Sequence, residues 1–448
     1  MKRVINLYFS AIAPSDVRAL LWAWLRSVVR APTARRTVLE QRIKRDLQAA
    51  GVFLFGSARS ALFAYLETAG IGPGDQVVVT GFTCLAVPLA VVATGAEPIY
   101  VDINPQILNA DPSLVRSKMG PRVRAVIIQH TFGCPSSVDE IVREARERGI
   151  LTIEDCALAT GSSRKGRPMG TFGDAAVFSL ELSKTITTGW GGILVLHDKG
   201  LQNAARRYYD SVAEPSPLRV GRMVLQTGLS GLLYDPRWYH ACRYLLAGLF
   251  KTGIFRPSTP PEELNAVIGA DFIHRLSGPQ ATLALRLWDR LPDITSRIDV
   301  IREKLCAGLR DNGYEPLAQP ASGDVSRGHR IPFLVADRSA AVAWFAKAGI
   351  ELGTWFDAPV SPMPQRPELF HYRPGECPQA EWISRHIVNL PAHVRLTDRD
   401  LNSILETLGR YRAMHPADAD VQQRQHQTAD ARLSEASVNR GTSGGVQI

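Results

Sequence analysis

Lys184 and Asp155 are the two side chains of this sequence whose types and spacing point most directly to chemistry. Lys184 lies in the stretch FSLELSKTITTGWGG, and Asp155 lies 29 residues earlier in IEDCALATG. A lysine in a desolvated cleft loses its proton readily and can form a Schiff base with an aldehyde. A carboxylate held against a pyridine nitrogen keeps that nitrogen protonated, so the ring can accept electrons. The pair therefore predicts the catalytic amine and carboxylate of a pyridoxal phosphate enzyme.

Such a cofactor also needs a site for its phosphate, and the stretch FGSARSAL at 55–62 predicts one. Gly56, Ser57 and Ala58 form a turn that opens a helix, and the free amides and dipole of a helix start favour an anion. Ser57 offers a hydroxyl, and Ser179, five residues before Lys184, offers another. Each of these residues alone is more often a helix cap or a buried polar group. Their order along the chain is what favours a phosphate site.

These residues must be positioned by a sheet, because short apolar runs alternate with helical segments from about residue 50 onwards. This alternation is typical of a parallel sheet built from strand-helix-strand units. Ligands of such sheets bind beyond the carboxyl ends of the strands, where Asp155 and Ser179 are expected. The predicted strands are 76–81, 97–102, 124–130, 151–156, 175–180 and 192–197, and the predicted helices between them include 57–69, 84–94 and 137–148.

The rest of the chain divides by composition into further segments. A large cofactor-binding domain is predicted for 49–291, with an apolar helical insertion at 213–262 and a long helix at 277–291. A smaller α+β domain follows at 292–412, with a strand at RIPFLV and a last helix that starts at Asp398 and is capped by Thr397. Residues 413–448 contain few apolar side chains and are predicted to be a disordered tail.

The charge of the chain is concentrated in an N-terminal arm, 1–48. Of the net charge of +9, the first 50 residues hold +7, from ten basic and three acidic residues. The apolar run between Arg18 and Arg26 is too short to span a bilayer. Two interpretations remain: the arm lies on an anionic membrane surface, or it packs on a neighbouring subunit or on the main domain. The insertion at 213–262 offers a second stretch for peripheral membrane contact.

Several other classes of site are disfavoured by the sequence. The six cysteines are scattered, with no metal-ligand spacing, which predicts reduced thiols, a cytoplasmic protein and no metal. The glycines of GIGPGD at 70–75 lack the third glycine of a dinucleotide loop. No HExxH, GxSxG or EF-hand pattern is present. With the basic charge confined to one arm, no nucleic-acid partner is expected.

Taken together, these stretches resemble the DegT-type sugar aminotransferases, which are fold type I pyridoxal phosphate enzymes. The resemblance covers roughly 56–200 and 268–410. It implies an α/β fold with a large, mostly parallel-sheet domain and a smaller C-terminal α+β domain. It also implies a homodimer with active sites at the subunit interface. The quoted stretches are GIGPGDQVVVTGFT, GAEPIYVDINPQILNADP, RAVIIQHTFGCPSSVDEI, IEDCALATG, KGRPMGTFGDAAVFSLELSK, GWGGILV, HRLSGPQATLALRLWDRL and IVNLPAHVRLTDRDL.

Residue by residue, the resemblance makes Lys184 the Schiff-base lysine and Asp155 the partner of the pyridine nitrogen. It makes Ser57, Ala58 and Ser179 contacts of the phosphate. The full set of expected cofactor-binding residues is Gly56, Ser57, Ala58, Cys84, Asp155, Leu158, Ser179, Lys184 and Trp190.

Four positions depart from the family pattern. Cys84 stands where an aromatic residue usually stacks on the cofactor, and Leu158 stands where glutamine or histidine is common. Trp190 replaces the glutamate of a GEGG loop, and Ile273 falls on an asparagine that the partner subunit sends to the phosphate. Trp190 either covers the face of the cofactor or packs under the loop without touching it.

The expected function is the transfer of an amino group, from glutamate, to a keto sugar linked to a nucleotide, in amino-sugar or surface-polysaccharide biosynthesis. Donor and acceptor are both implied by the resemblance alone. Two alternatives stay open because of the four departures: a pyridoxal phosphate-dependent dehydratase or lyase, and a non-catalytic regulatory protein that keeps the fold.

Overall fold

The fold is known from a computed structural model that describes residues 4–7, 11–27, 33–235, 239–269, 272–421 and 423–424. Its central feature is a seven-stranded sheet in the order β1-β7-β6-β5-β4-β2-β3. Six of the strands match the predicted ones, and β1 was missed. The strands are β1 (Gly51–Phe55), β2 (Gln76–Thr80), β3 (Glu97–Val101), β4 (Val123–Gln129), β5 (Leu151–Asp155), β6 (Ala175–Ser179) and β7 (Gly192–Leu196).

The strand directions place the chemistry at one edge of the sheet. Strands β2 to β6 run parallel, whereas β7 runs antiparallel to both β6 and β1. The carboxyl ends of β4, β5 and β6 therefore lie side by side, and they carry Gln129, Asp155 and Ser179. The expected mostly parallel sheet is confirmed, with β7 as the exception.

Helices cover both faces of this sheet and bury two large apolar cores. Helices α3, α4 and α7 contribute to the core on one face, and α1, α2, α5, α6 and α10 to the core on the other. The bounds are α1 (Pro14–Ser27), α2 (Thr33–Asp46), α3 (Ala58–Thr68), α4 (Ala86–Val92), α5 (Pro112–Lys118), α6 (Val138–Glu147), α7 (Gln202–Ser211), α8 (Pro217–Leu233), α9 (Tyr239–Lys251) and α10 (Gly278–Asp289).

The C-terminal part builds a third core around a two-stranded antiparallel sheet. Its strands are β8 (Arg330–Leu334), as predicted at RIPFLV, and β9 (Ile387–Pro391). Its helices are α11 (Leu291–Asp311), α12 (Arg338–Lys347), α13 (Pro378–His386) and α14 (Asp398–Met414). Thr397 caps α14 as expected, in a reciprocal pair with Asp400. The domain boundaries themselves stay predictions.

The described part of the N-terminal arm packs on its own chain. Helix α1 contacts α8 and α10, and α2 contacts α10 and β1. Before α1, the backbone nitrogen of Ile5 donates to the carbonyl of Gly349 at 2.8 Å. Of the interpretations offered for the arm, packing on the main domain therefore describes where these residues lie. The outer face of α1 is exposed and remains available to a partner.

Two segments differ from the prediction. Helix α8 begins at Pro217, six residues before the predicted apolar stretch at 223–234, because the Ser216 hydroxyl caps it and proline suits the first helical position. The prediction of a disordered tail does not hold for 413–421 and 423–424: helical residues follow α14, and the Asp418 carboxylate accepts hydrogen bonds from the Tyr314 hydroxyl at 2.6 Å and the Ala336 amide at 2.7 Å. The rest of that tail, 422 and 425–448, lies outside the described residues.

Among the described residues, no helix combines the length and the apolar character needed to cross a bilayer.

Candidate active site

A deep cavity lies at the carboxyl ends of β4, β5 and β6 and contains Lys184 and Asp155 in its wall. Asp155 is the last residue of β5, and Lys184 lies in the loop that joins β6 to β7. Eight of the expected site residues line this cavity: Ser57, Ala58, Cys84, Asp155, Leu158, Ser179, Lys184 and Trp190. Residues that lie far apart in the sequence thus meet in one place, as the strand-end argument predicts.

Lys184 is half-buried in the cavity wall, and its removal from water is the main reason why its pKa falls below the usual 10.5. The carboxylates of Glu181 and Asp155 raise the pKa in part, and Arg330 lowers it further. Its Nζ lies 5.0 Å from the centre of the Trp355 ring. The amine is therefore easier to deprotonate than a solvated lysine, which is what covalent capture of an aldehyde requires.

Asp155 is shifted in the opposite direction. Burial raises its pKa above 3.8, while a hydrogen bond from the Ala157 amide at 2.9 Å and the positive charge of Lys184 limit the rise. A buried carboxylate without a full counter-charge is costly. A cationic ring nitrogen beside Asp155 would offset part of this desolvation cost. The site therefore favours a positively charged ring at this position.

Two residues of the predicted phosphate site, Ser57 and Ala58, lie at the start of α3. Ser57 caps the helix by accepting a hydrogen bond from the Ser60 amide at 3.2 Å. Strand β7 passes so close that a Cβ on Gly192 would lie 2.2 Å from the Ser57 carbonyl oxygen. Only glycine fits at this approach, and Gly192 was not singled out from the sequence. The Ser179 hydroxyl lies at the end of β6 and accepts from the Glu181 amide at 3.3 Å.

Two expected residues do not line the cavity. The Gly56 amide donates to the His274 carbonyl at 2.6 Å, and Gly56 faces an adjoining cavity that is also lined by Trp190. Ile273 is 37% exposed on the surface of this chain. A role for Ile273 toward a partner subunit stays a prediction.

Trp190 combines features of both interpretations of its role. Its ring packs with Phe272 at a centroid distance of 4.8 Å and forms a small buried cluster with Met223. Its carbonyl accepts from the Gln280 amide side chain at 2.6 Å. It also lines the Lys184 cavity. Trp190 is therefore a packed residue of the cavity wall, and Met223 of the insertion packs against it.

The DegT/DnrJ/EryC1/StrS aminotransferase family matches the chain over residues 24–409. The chain belongs to this family. The resemblance inferred from the sequence is thereby confirmed.

Relatives within the family share either a short stretch or a low identity. The L-glutamine:scyllo-inosose aminotransferase of Streptomyces griseus is 36% identical over 169 residues, 37% of this chain and 40% of that protein. The spore coat polysaccharide biosynthesis protein SpsC of Bacillus subtilis is 26% identical over 363 residues, 79% of this chain and 83% of that protein. The chain spans 33–40% of the length of the curated relatives that match first.

Solved structures show the same fold. The putative sugar aminotransferase Spr1654 of Streptococcus pneumoniae, in its PMP form, superposes with a TM-score of 0.72 at 21% identity. The match covers 92% of this chain and 98% of that one. The expected fold class is confirmed.

The cofactor of DegT-family aminotransferases is pyridoxal 5′-phosphate, and the residues of this cavity fit it. Lys184 would hold the aldehyde carbon, and Asp155, whose raised pKa marks it as short of positive charge, would face the ring nitrogen. Ser57, Ala58 and Ser179 would surround the phosphate.

Other lining residues were missed from the sequence. Trp355 and Phe356 come from the C-terminal part, and their rings stack with centroids 5.6 Å apart. Trp355 is held by Asn389, which exchanges two hydrogen bonds with its backbone. The adjacent aromatic pair in TWFDAP was the available signal. Trp355 supplies an aromatic surface near Lys184, in a pocket where Cys84 cannot stack on a ring.

Among the described residues, a group of three potential metal donors includes one lining residue of the cavity, His130, together with Glu154 and Cys156. The Glu154 oxygens accept from the amides of Gly170, Phe172 and Gly173 and contact His130 at 3.2 Å. The other ring nitrogen of His130 accepts from the Ser136 amide. These contacts anchor the loop before β6 and account for the buried charge without an ion.

Proposed function

We propose that this protein is a pyridoxal phosphate-dependent aminotransferase that moves an amino group from glutamate to a keto sugar. The acceptor would be linked to a nucleotide and the product used in amino-sugar or surface-polysaccharide biosynthesis. The observation that carries the proposal is the meeting of Lys184 and Asp155 in one enclosed cavity. The name of SpsC supports the pathway, and that of the Streptomyces griseus relative supports a cyclic ketone as acceptor.

The roles of the residues follow from their environment. When bound, the cofactor supplies an aldehyde that takes up the amino group and a ring that accepts electrons. The Lys184 amine would hold the cofactor and, once free, would move the proton from the α-carbon of the donor. The Asp155 carboxylate would keep a proton on the ring nitrogen of the cofactor, and the Trp355 and Phe356 rings in the cavity wall would limit the access of water.

The donor half of the reaction is the first test. Glutamate added to the cofactor-loaded protein is expected to convert the visible absorbance band to that of the amine form and to release one 2-oxoglutarate per site. Glutamine is the matched comparison, because the Streptomyces griseus relative is named for it. A keto sugar nucleotide should then restore the band. If neither donor converts the cofactor, the aminotransferase proposal is wrong and the non-catalytic or dehydratase alternatives take its place.

We also propose a cytoplasmic protein that touches the membrane surface through α1, α8 and α9. All six cysteines are unpaired, which supports a reducing compartment. Large apolar side chains are exposed on the three helices, among them Trp22 at 58%, Leu218 at 85% and Tyr244 at 72%. Surface helices that combine apolar and basic residues bind anionic lipid.

The charges of these helices fit an anionic surface. The carboxylates in their described residues and in the turn after α8 are Asp16 and Asp235, and both are buried. Asp16 pairs with Arg286 at 2.8 Å, and Asp235 pairs with Arg395 at 3.0 Å. The exposed charges include Arg18, Arg26 and Lys251. The face therefore presents positive charge and no exposed carboxylate.

The protein is accordingly expected to sediment with vesicles that contain phosphatidylglycerol and not with phosphatidylcholine vesicles, with binding lost at high salt. Leu225→Glu should weaken this binding, since Leu225 is 48% exposed on α8, whereas Asn265→Glu, on an exposed position outside the three helices, should not. If Leu225→Glu instead dissociates a dimer and leaves vesicle binding unchanged, the face belongs to the homodimer that the family resemblance implies.

A further inference from the structure

Arg59 is a buried cation in the wall of the Lys184 cavity. It is the second residue of α3, directly after Ser57 and Ala58, and is 7% exposed. Its guanidinium carbon lies 4.5 Å from the centre of the Phe272 ring. Arginines are rarely this buried without a charged partner. Its place at the start of α3 brings a full positive charge to the site where the helix amides already favour an anion.

The charged partner of Arg59 is Glu263, which directly follows the insertion. Glu263 is completely buried and forms an ion pair with Arg59, while a second guanidinium nitrogen of Arg59 donates to the Ser258 carbonyl at 2.7 Å. The other carboxylate oxygen of Glu263, Oε1, accepts no hydrogen bond within the described part of the chain. Glu263 thus orients Arg59, but one of its two carboxylate oxygens lacks a hydrogen-bond donor among the described residues.

The charged side chains that line the cavity indicate what the Arg59–Glu263 pair could bind. Besides Arg59, the lining carries Lys184, which the reaction requires as a neutral amine, and the two carboxylates of Asp155 and Glu181. A phosphate monoester carries about −1.5 to −2 charges at neutral pH. The hydroxyls of Ser57 and Ser179 offer hydrogen bonds but no charge. A buried dianion needs a positive partner, and Arg59 is the lining residue that can provide it.

We propose that Arg59 binds the phosphate of the cofactor and that Glu263 holds its guanidinium in place while offsetting part of its charge. Neither residue belongs to the contacts that the family resemblance assigns. Ser258 in the insertion and Glu263 directly after it therefore set the position of this guanidinium, and Glu263 also limits its net charge. This inference rests on the cofactor and not on the identity of the sugar.

Affinity for pyridoxal 5′-phosphate, compared with affinity for phosphate-free pyridoxal, tests this role without any measurement of turnover. Arg59→Gln is expected to weaken pyridoxal phosphate binding by about 10- to 100-fold, the range for a lost hydrogen bond to a charged group. Binding of pyridoxal should stay within about twofold of the wild type, because only the phosphate contact is lost. Both constants are measured on the full-length, cofactor-free chain by the absorbance change on attachment to Lys184.

Glu263→Gln is expected to tighten pyridoxal phosphate binding, because one buried negative charge near the phosphate is removed. Arg36→Gln is the matched control: Arg36 is also buried and paired with a glutamate, Glu214, at 2.6 Å, but does not line the cavity. It should leave the ratio of the two affinities unchanged.

Arg59→Gln leaves Glu263 buried without a partner, so the variant risks unfolding. The double variant Arg59→Gln/Glu263→Gln removes both charges and is expected to show the same loss of phosphate preference. If the double variant regains the wild-type ratio, or if Arg59→Gln weakens both ligands equally, the pair only fastens the insertion to α3 and the proposal is wrong.

Discussion

Lys184→Ala is expected to abolish the visible absorbance band of the cofactor-loaded protein and to lower amine transfer by at least about 10²- to 10⁴-fold, the range for loss of a positioned proton-transfer group. Two functions are lost at once: the amine that holds the cofactor and the base that moves the proton. No other lysine lines the cavity in the described part of the chain. Absorbance spectra and the release of 2-oxoglutarate provide the two readouts.

Lys199→Ala is the matched control for this prediction. Lys199 follows β7 on the protein surface, so its loss should change neither readout. Borohydride reduction should fix the cofactor on the peptide that contains Lys184. Attachment to a different lysine, or a full band in Lys184→Ala, would contradict the assignment.

The lowered pKa of Lys184 adds a pH dependence to the same experiment. Burial disfavours the ammonium form, so the neutral amine is present at a lower pH than in free lysine, whose pKa is 10.5. The rate at which the cofactor-free protein takes up pyridoxal phosphate should therefore rise with pH through a midpoint below 10.5. A midpoint at or above the free value would mean that the carboxylates around Lys184 outweigh its burial.

The residues that the sequence predicted share one property: their positions follow from local signals. Asp155 and Ser179 end apolar strands, and Ser57 opens a helix, so strand and helix boundaries suffice to bring them to one edge of the sheet. Lys184 follows because its loop starts at the same edge. Local periodicity and capping therefore predicted about a third of the cavity wall, eight of its 23 lining residues.

Residues whose positions depend on long-range packing were missed. Trp355 reaches the cavity from the C-terminal part, about 170 residues after Lys184. Arg59 was visible beside Ser57, but its role depends on Glu263, which lies 204 residues away, directly after the insertion. No spacing rule connects such pairs, since their contact arises only when separate elements dock.

The fold shows the same division between local and long-range information. The β1 strand was missed because its five residues follow directly on a basic helix and look like the lead-in to α3. The antiparallel direction of β7 depends on its position between β6 and β1, which its own apolar run does not encode. The order after α14 depends on Asp418, whose partners Tyr314 and Ala336 lie far away in sequence.

Asp155→Asn is expected to slow amine transfer by about 10²- to 10³-fold while leaving the cofactor attached to Lys184. Opposite charges about 4 Å apart at an effective dielectric of about 20 contribute roughly 4 kcal/mol, close to three powers of ten in a rate. Asparagine fills the same space and can still accept from the Ala157 amide, so the fold should persist. The rate of proton removal from glutamate, followed by loss of the visible band, measures the effect.

The cause of that loss can be separated from a structural effect by changing the cofactor instead of the protein. An N-methylated cofactor carries a permanent positive charge on its ring nitrogen and needs no carboxylate to stay cationic. It should restore a large part of the rate in Asp155→Asn, and Asp420→Asn, on an exposed position, should behave like the wild type with either cofactor. If the methylated cofactor restores nothing, Asp155 acts by shaping the cavity. If it restores the rate, Asp155 acts by keeping the ring nitrogen positively charged. Its burial, which raises its pKa, then serves that interaction.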